Sequence, residues 1–353
     1  MMSKPIVTAL ASYGMSGQVF HAPFLEAHAG FQLKYILERT ASLSEARYPQ
    51  SIIVRSFQEL LNDDEVELIV VNTPNQLHAP MAKQALLAGK HVIVEKPFSI
   101  HVEEGKEVIA IAHQQQKTLN VFHNKRFEGE FKTVRQLIQD GRLGQLSLFE
   151  THFDRYRPEI GTKKWKEEDL PGAGLLYDLG PHMIDQVLVL FGWPKAITGD
   201  LQKQREGSKV IDYFHITLHY DHHDAIVTAG MFAQGPVVKY LIKGTEGVYT
   251  KYGADPQEAL LKQGVLPTTY DWGKEAASQW GKITNTKGEE FFVPTVSGTY
   301  MDYYESVYQT IRNGAAPAVR AEEALDTIAV IEWALQSNQA GKIRVETERP
   351  VLN

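Results

Sequence analysis

The sequence predicts two α/β units in one chain. A doubly wound parallel sheet occupies residues 1–123, and an α+β unit with an open, mostly antiparallel sheet occupies residues 124–353. Three observations predict this. Short, mostly apolar runs alternate with stretches of helical spacing through about the first 120 residues, as strands do when helices cover both faces of their sheet. From about Ala196 onward apolar residues instead tend to alternate with polar ones, the pattern of half-exposed antiparallel strands. The 353 residues suffice for two domains, and with 43% hydrophobic and 22% charged residues there is ample material for a core.

In the first unit the apolar runs Ile6–Ala11, Leu33–Leu37, Leu68–Val71, His91–Val94 and Thr118–Phe122 predict parallel strands. Helical spacing falls between them, over Gly17–His28, Phe57–Leu61, Pro80–Ala88 and Glu103–Gln115; Asn62-Asp63-Asp64 closes the second of these helices and Gly89 stops the third. In the second unit, Phe131, Val134, Leu137 and Ile138 mark a helix leading into Leu146–Phe153. A polar loop with Lys163, Lys164, Trp165 and Lys166 follows, then a helix from near Gly180. From Ala196 to Tyr252 the alternation, clearest in Asp212–Tyr220, is broken by the turn clusters Glu206-Gly207-Ser208 and Asp221-His222-His223-Asp224. Helices near Tyr300–Arg312 and Ala321–Gln339 close the chain, so the helices of this unit are expected on one side of the sheet.

Composition narrows the function. A net charge of −7 offers nothing to a nucleic-acid backbone or an anionic membrane, and no run approaches the ~18 apolar residues of a span. With no cysteine there is no disulfide, thiolate nucleophile, iron–sulfur cluster or cysteine-bound zinc, which fits a reducing compartment. The start Met1-Met2-Ser3-Lys4-Pro5 lacks the features of a signal peptide, and the expectation is a soluble, cytoplasmic protein. An open sheet with a bare face predicts a homo-oligomer, dimer or tetramer. The histidine-rich cluster Tyr220–Asp224 has metal-ligand residue types but sits at an expected hairpin turn, so no metal is expected there.

The first strand runs into Ala11-Ser12-Tyr13-Gly14-Met15-Ser16-Gly17, with the spacing of G-x-G-x-x-G and Ser12 in the first glycine's place. Between a first strand and a first helix, this spacing predicts a Rossmann dinucleotide loop, with a plain strand-to-helix turn as the alternative: Gly14 would let backbone approach a pyrophosphate, Gly17 would let helix and strand pack closely, and the helix N-terminus favours the anion. The second strand ends at Leu37-Glu38-Arg39-Thr40, where the adenosine ribose is read. Glu38 suits a free 2′-hydroxyl and argues for NAD; Arg39 suits a 2′-phosphate and argues for NADP. The two residues conflict.

Oxidising a secondary alcohol needs a base for the hydroxyl proton and a cation for the developing alkoxide. His182 is the natural base, because imidazole titrates near neutral pH. Asp178 lies four residues earlier, on the same face if the segment is helical. Lys96 follows the strand ending at Val94, at the carboxyl edge where ligands of open α/β sheets bind, and a cis bond to Pro97 would aim it inward.

Three segments carry a family likeness: Val70-Val71-Asn72-Thr73-Pro74-Asn75-Gln76-Leu77-His78, Ala88–Pro97 with Glu95-Lys96-Pro97 at its end, and Leu176-Tyr177-Asp178-Leu179-Gly180-Pro181-His182-Met183-Ile184-Asp185. Together they resemble the Gfo/Idh/MocA family of glucose–fructose oxidoreductases and inositol dehydrogenases, over essentially the whole chain. Within that family, Phe122–Arg126, Arg155–Glu159 and Asp212–His215 look like the NADP-dependent scyllo-inositol dehydrogenases. Ser12 and Glu38 depart from the pattern.

The resemblance implies that Lys96, Asp178 and His182 are the catalytic trio. It implies that Ser12, Tyr13, Gly14, Met15, Ser16, Gly17, Glu38, Arg39, Thr73, Pro74, Asn75, His78, Glu95 and Lys96 border the cofactor, and that Asn124, Arg126, Tyr156, Arg157, Trp165 and Asp185 line a polyol pocket. The expected function is hydride transfer between a nicotinamide cofactor, NADP or NAD, and a cyclic polyol or sugar. The alternative is a non-catalytic dinucleotide-dependent sugar sensor on the same fold, which would have no use for the trio.

Overall fold

Six strands form the first sheet: β1 (Ile6–Leu10), β2 (Phe31–Leu37), β3 (Ile52–Val54), β4 (Leu68–Val71), β5 (His91–Val94) and β6 (Leu119–Val121). The structure, a computed structural model, describes residues 4–161, 164–269 and 271–352, without the side chains of Lys164 and Trp165. The strand order is β3-β2-β1-β4-β5-β6 with every pair parallel. Helices α1 (Ala22–Ala27), α2 (Phe57–Asn62), α3 (His78–Leu87) and α4 (Val102–Gln114) alternate with the strands. All residues of β1 and β4 are buried, which is why these strands read as continuous apolar runs. The predicted boundaries of β4 and β5 match the structure. The unpredicted strand is β3, a three-residue edge whose first residue is exposed, too short for a periodic signal. Gly89 does end α3: at φ +75° its amide donates to Leu86 O at 2.9 Å and that of Lys90 to Ala85 O at 3.0 Å. The strand order reverses direction between β1 and β4, which places a ligand crevice beyond the carboxyl ends of those strands.

The second unit contains α5 (Gly129–Gln139), β7 (Leu146–His152), α6 (Lys164–Glu167), α7 (Gly174–Phe191), β8 (Ala196–Gln202), β9 (Tyr213–His219), β10 (Asp224–Ala229), β11 (Val238–Gly244) and β12 (Gly247–Tyr252). After α8 (Gln257–Lys262) come β13 (Gly281–Asn285), β14 (Glu290–Val293), α9 (Met301–Asn313), α10 (Ala321–Gln339) and β15 (Val345–Glu346). The sheet order is β14-β13-β12-β11-β7-β10-β9-β8-β15. Only the β7–β10 pair is parallel, so the sheet is mostly antiparallel, as expected. Along β9, Phe214, Ile216 and Leu218 are buried and alternate with half-buried Tyr213, His215, Thr217 and His219; α7 packs on the buried side of β9 and β10. The Asp221–Asp224 cluster forms the β9–β10 turn, where the Tyr220 amide donates to His223 O and Lys195 pairs with Asp221.

The chain crosses from the first unit to the second at Asn124–Lys125, but the segments 257–272 and 299–325 belong to the first unit. Aromatic packing and one ion pair account for the second return. Tyr304 stacks on Phe24 at 5.2 Å and its hydroxyl donates to Phe20 O, while Arg312 grips Glu67 with two bonds of 2.7 and 2.8 Å.

Candidate active site

The glycine loop is held by its own backbone and by Asn72. Asn72 Nδ2 donates to Ser12 O at 2.8 Å, and the Gly14 amide donates to Ser12 Oγ at 3.2 Å. Ser12 has no positive φ, so the serine costs no backbone strain and its hydroxyl serves the turn. A Cβ on Gly17 would lie 2.4 Å from Ser12 O and 3.0 Å from Asn72 Nδ2, whereas a Cβ on Gly14 would meet only Ser12 Oγ, at 3.5 Å. Packing inside the protein therefore requires glycine at 17, and open space in front of the loop lies at 14. Gly17–His21 starts the following helix as a π-helical turn before α1. Of the loop residues expected at the cofactor, Gly14 and Met15 are exposed and Ser12 and Ser16 half-buried; Tyr13 is buried edge-on against Tyr48, at 6.1 Å, and has little surface to offer. Beside the loop, Asn72 Oδ1 and Thr73 Oγ1 are buried with no hydrogen-bond partner among the described residues. An open cradle flanked by orphaned buried acceptors fits a dinucleotide.

Gly17→Ala is expected to cost about 1–3 kcal/mol of stability by overpacking, while Gly14→Ala leaves the thermal midpoint nearly unchanged and weakens dinucleotide binding. Thermal unfolding paired with fluorescence titration of reduced cofactor checks this. Equal destabilisation by both alanines would overturn it.

At the end of β2 the two competing residues part ways. Glu38 is buried and turned onto its own loop: Leu43 N donates to Oε2 at 2.8 Å, and Ser44 N and Oγ donate to Oε1 at 2.9 and 2.6 Å. Burial pushes this carboxyl up, but the Ser44 and Leu43 bonds, helped by the Arg55 charge, outweigh it and hold it below its ordinary value. The loop amides offer this carboxylate better partners than water, so it turns inward instead of toward a ribose hydroxyl. Arg55 reinforces the loop through Glu38 O and Ser42 Oγ. Arg39 is exposed.

The loops after β4 and β5 are tied together by His78. Its Nδ1 lies 2.7 Å from Pro97 O and its Nε2 2.7 Å from Thr73 O. Burial pushes this imidazole below its ordinary value against the pull of the Pro97 carbonyl and Glu95. Both nitrogens lie against backbone carbonyls, to one of which the neutral ring can donate, so the ring faces the chain between Thr73 and Pro97. Pro74 is exposed, and Thr73 and Asn75 are half-buried. Glu95 is buried, with Oε1 3.0 Å from His21 Nε2, and Oε2 accepts the Lys96 amide at 3.2 Å. Burial raises the Glu95 carboxyl, but His21 and the neighbouring charges win and the net direction is down. Tyr304 Oη in turn lies 2.9 Å from His21 Nδ1. Half-buried Lys96 follows, joined to Pro97 by a cis peptide bond.

In the second unit Asp178 and His182 sit one turn apart on α7, so they share a face. His182 is buried; Asp178 is about a third exposed, and its Oδ1 accepts from Lys166 Nζ at 3.0 Å. Pro181 lies inside the helix and has no N–H to donate. Arg126 and Asp185 form a bidentate pair, Nε to Oδ2 at 2.8 Å and Nη2 to Oδ1 at 2.6 Å, with the Asp185 side chain 2% exposed. Both were expected to line the polyol pocket; in the structure each is held by the other, and the pair ties α7 to the 124–127 turn. Asn124 is buried, while Tyr156 and Arg157 are exposed beside strand-like contacts to Phe232 and Met231. The Trp165 side chain lies outside the described residues.

Comparison with known proteins agrees with this geometry. Residues 7–123 match the model of the oxidoreductase family's NAD-binding Rossmann fold, and residues 135–347 match that of the family's C-terminal α/β domain. The chain belongs to the Gfo/Idh/MocA oxidoreductase family. Among its Gfo/Idh/MocA relatives, scyllo-inositol 2-dehydrogenase (NADP(+)) of Bacillus subtilis is 36% identical over 337 residues, covering 95% of this chain and 94% of that protein. An uncharacterized oxidoreductase of Escherichia coli, YdgJ, is 38% identical over 339 residues, covering 95% and 97%. The solved structure of Bacillus subtilis yvaA superposes with a TM-score of 0.94 at 35% identity, covering 99% of this chain and all of that one. This Gfo/Idh/MocA protein is an oxidoreductase with a Rossmann NAD-binding domain, and among its described residues no helix is long and apolar enough to cross a membrane.

Sequence reasoning missed His21 and Tyr304, which hold Glu95 from below. Neither lies in a motif, and nothing local distinguishes a buried histidine that packs from one that positions a carboxylate.

Proposed function

We propose that this protein catalyses the reversible oxidation of one secondary alcohol of a cyclic polyol or sugar, scyllo-inositol-like, with NADP preferred over NAD. The carrying observation is the local setting of three residues: Lys96 at the carboxyl edge of β5, behind a Glu95 locked by His21, and Asp178 and His182 on one face of α7. The nicotinamide cofactor, bound at the Ser12–Gly17 cradle, supplies the hydride acceptor. In this reading His182 takes the hydroxyl proton, Lys96 holds the oxygen as negative charge develops, and Asp178 orients the imidazole or binds a neighbouring hydroxyl. The named activity of the Bacillus subtilis relative supports the substrate class. Cytoplasmic location and a homo-oligomeric state belong to the same reading.

The cofactor preference rests on Glu38, whose oxygens are both occupied by Leu43 and Ser44, leaving exposed Arg39 to meet a 2′-phosphate. A bidentate guanidinium–phosphate contact is worth about 1.5–3 kcal/mol, roughly 10–100-fold in affinity. NADP is expected to bind at least about tenfold better than NAD to the native chain, with that preference lost in Arg39→Ala. Tighter binding of NAD from the outset would overturn it. The substrate class is tested by assaying inositols, aldoses and hexopyranosides with each cofactor and following the absorbance of the reduced form. Turnover confined to acyclic alcohols assayed beside them would count against it, and no turnover with any of them would favour a sensor.

A further inference from the structure

The second unit carries a cavity of about 650 Å³ at the end of its sheet that none of Lys96, Asp178 and His182 lines. It lies where β7 and β12 end and β11 and β13 begin, with Lys125, Glu128, Glu130 and Lys239 among its walls and Trp280 and Tyr252 beside them. We propose that this cavity binds the carboxylate of a small hydroxylated acid of sugar size, anchored on Lys239.

Lys239 carries the argument. The residue is 6% exposed, and among the described residues its ammonium has neither a hydrogen bond nor an ion pair. It rests 4.5 Å over the Phe153 ring, which two further cations approach, Arg155 at 4.8 Å and Lys125 at 5.2 Å. The carboxylate of Glu128 is engaged by Lys125. Burial pushes this ammonium below its ordinary value against the raising pull of Glu128 and Glu130, and neither carboxylate bonds it. An ammonium on a cavity wall with no acceptor bonded to it is stabilised by one carboxylate oxygen of a ligand.

Glu130 adds a second unmet group. It is 1% exposed; Oε1 accepts the Asp255 amide at 3.2 Å, and Oε2 has no hydrogen-bond partner among the described residues. Burial, with Glu128 and Asp255 nearby, pushes this carboxyl above its ordinary value, which favours the protonated form with a hydrogen to donate. A carboxylate between the Lys239 ammonium and the Glu130 hydroxyl would satisfy both. A phosphate dianion would bring a second charge up to Glu128. At the mouth, Tyr252 is exposed and Trp280 half-buried, and such rings cover the apolar face of a hydroxylated ring or chain.

Calorimetric titration of the full chain, without nicotinamide cofactor, tests this with gluconate, glucitol and inorganic phosphate as probes. Gluconate is expected to bind at least about tenfold more tightly than either of the others, and Lys239→Met to lose at least about tenfold of that affinity. Trp280→Ala, at the rim, is expected to weaken gluconate several-fold, which keeps the test open if Lys239→Met does not fold. No binding of gluconate at millimolar concentration, equal binding of glucitol, stronger binding of phosphate, or affinity unchanged in a folded Lys239→Met would each overturn the assignment. Because no cofactor or turnover enters the measurement, its failure leaves the dehydrogenase reading untouched.

Discussion

Replacing Lys96 by alanine is expected to lower turnover by at least about 10²-fold while leaving the dissociation constant of NADP nearly unchanged. The reason is the charge that develops on the substrate oxygen as its proton leaves. An ammonium held beside that oxygen stabilises the transition state more than the neutral alcohol, so its loss falls on turnover. The structure gives Lys96 a firm base: its amide donates to Glu95, Glu95 is held by His21, and the carbonyl of Pro97 is contacted by His78. The measurement is steady-state kinetics with the best substrate of the panel, paired with a binding titration of the cofactor. A parallel loss of cofactor affinity would make Lys96 a cofactor-binding residue. A ternary-complex structure with the Lys96 ammonium more than ~10 Å from the His182 ring would end the proposal, since both must reach one oxygen through hydrogen bonds of ~3 Å.

Asp185→Ala is expected to destabilise the fold by about 3–5 kcal/mol, because it leaves the Arg126 guanidinium buried without its carboxylate. The double variant Arg126→Met with Asp185→Leu is expected to recover much of that loss, since two apolar side chains avoid the desolvation that an ion pair must overcome. Chemical denaturation of the two single variants and the double completes the cycle. If Asp185→Ala instead unfolds at the native midpoint and loses only affinity for the polyol, the carboxylate is a ligand group after all.

How much of this was readable beforehand follows from the range over which each feature is decided. The strands β4 and β5, the stop at Gly89, the cradle at Gly14 and Gly17, and the one-turn spacing of Asp178 and His182 all depend on neighbours within a few residues. Hydrophobic period, glycine conformation and helical repeat are local physics, and the sequence determines them by itself.

Only the tertiary structure decided where the buried polar groups found their partners. Glu38 reads as a ribose ligand by its position after β2, yet the loop that follows folds back and supplies three donors to its carboxylate. His78 reads as a cofactor contact, yet Pro97 lies 19 residues on and brings a carbonyl to its ring. Arg126 and Asp185, separated by 59 positions, satisfy one another, and Tyr304 reaches His21 across 283. A buried charge or ring nitrogen must be paired, so its partner is chosen from whatever the fold carries within about 3 Å. That choice depends on chain paths that no local pattern encodes, which is why the structure alone assigned what each of these residues holds.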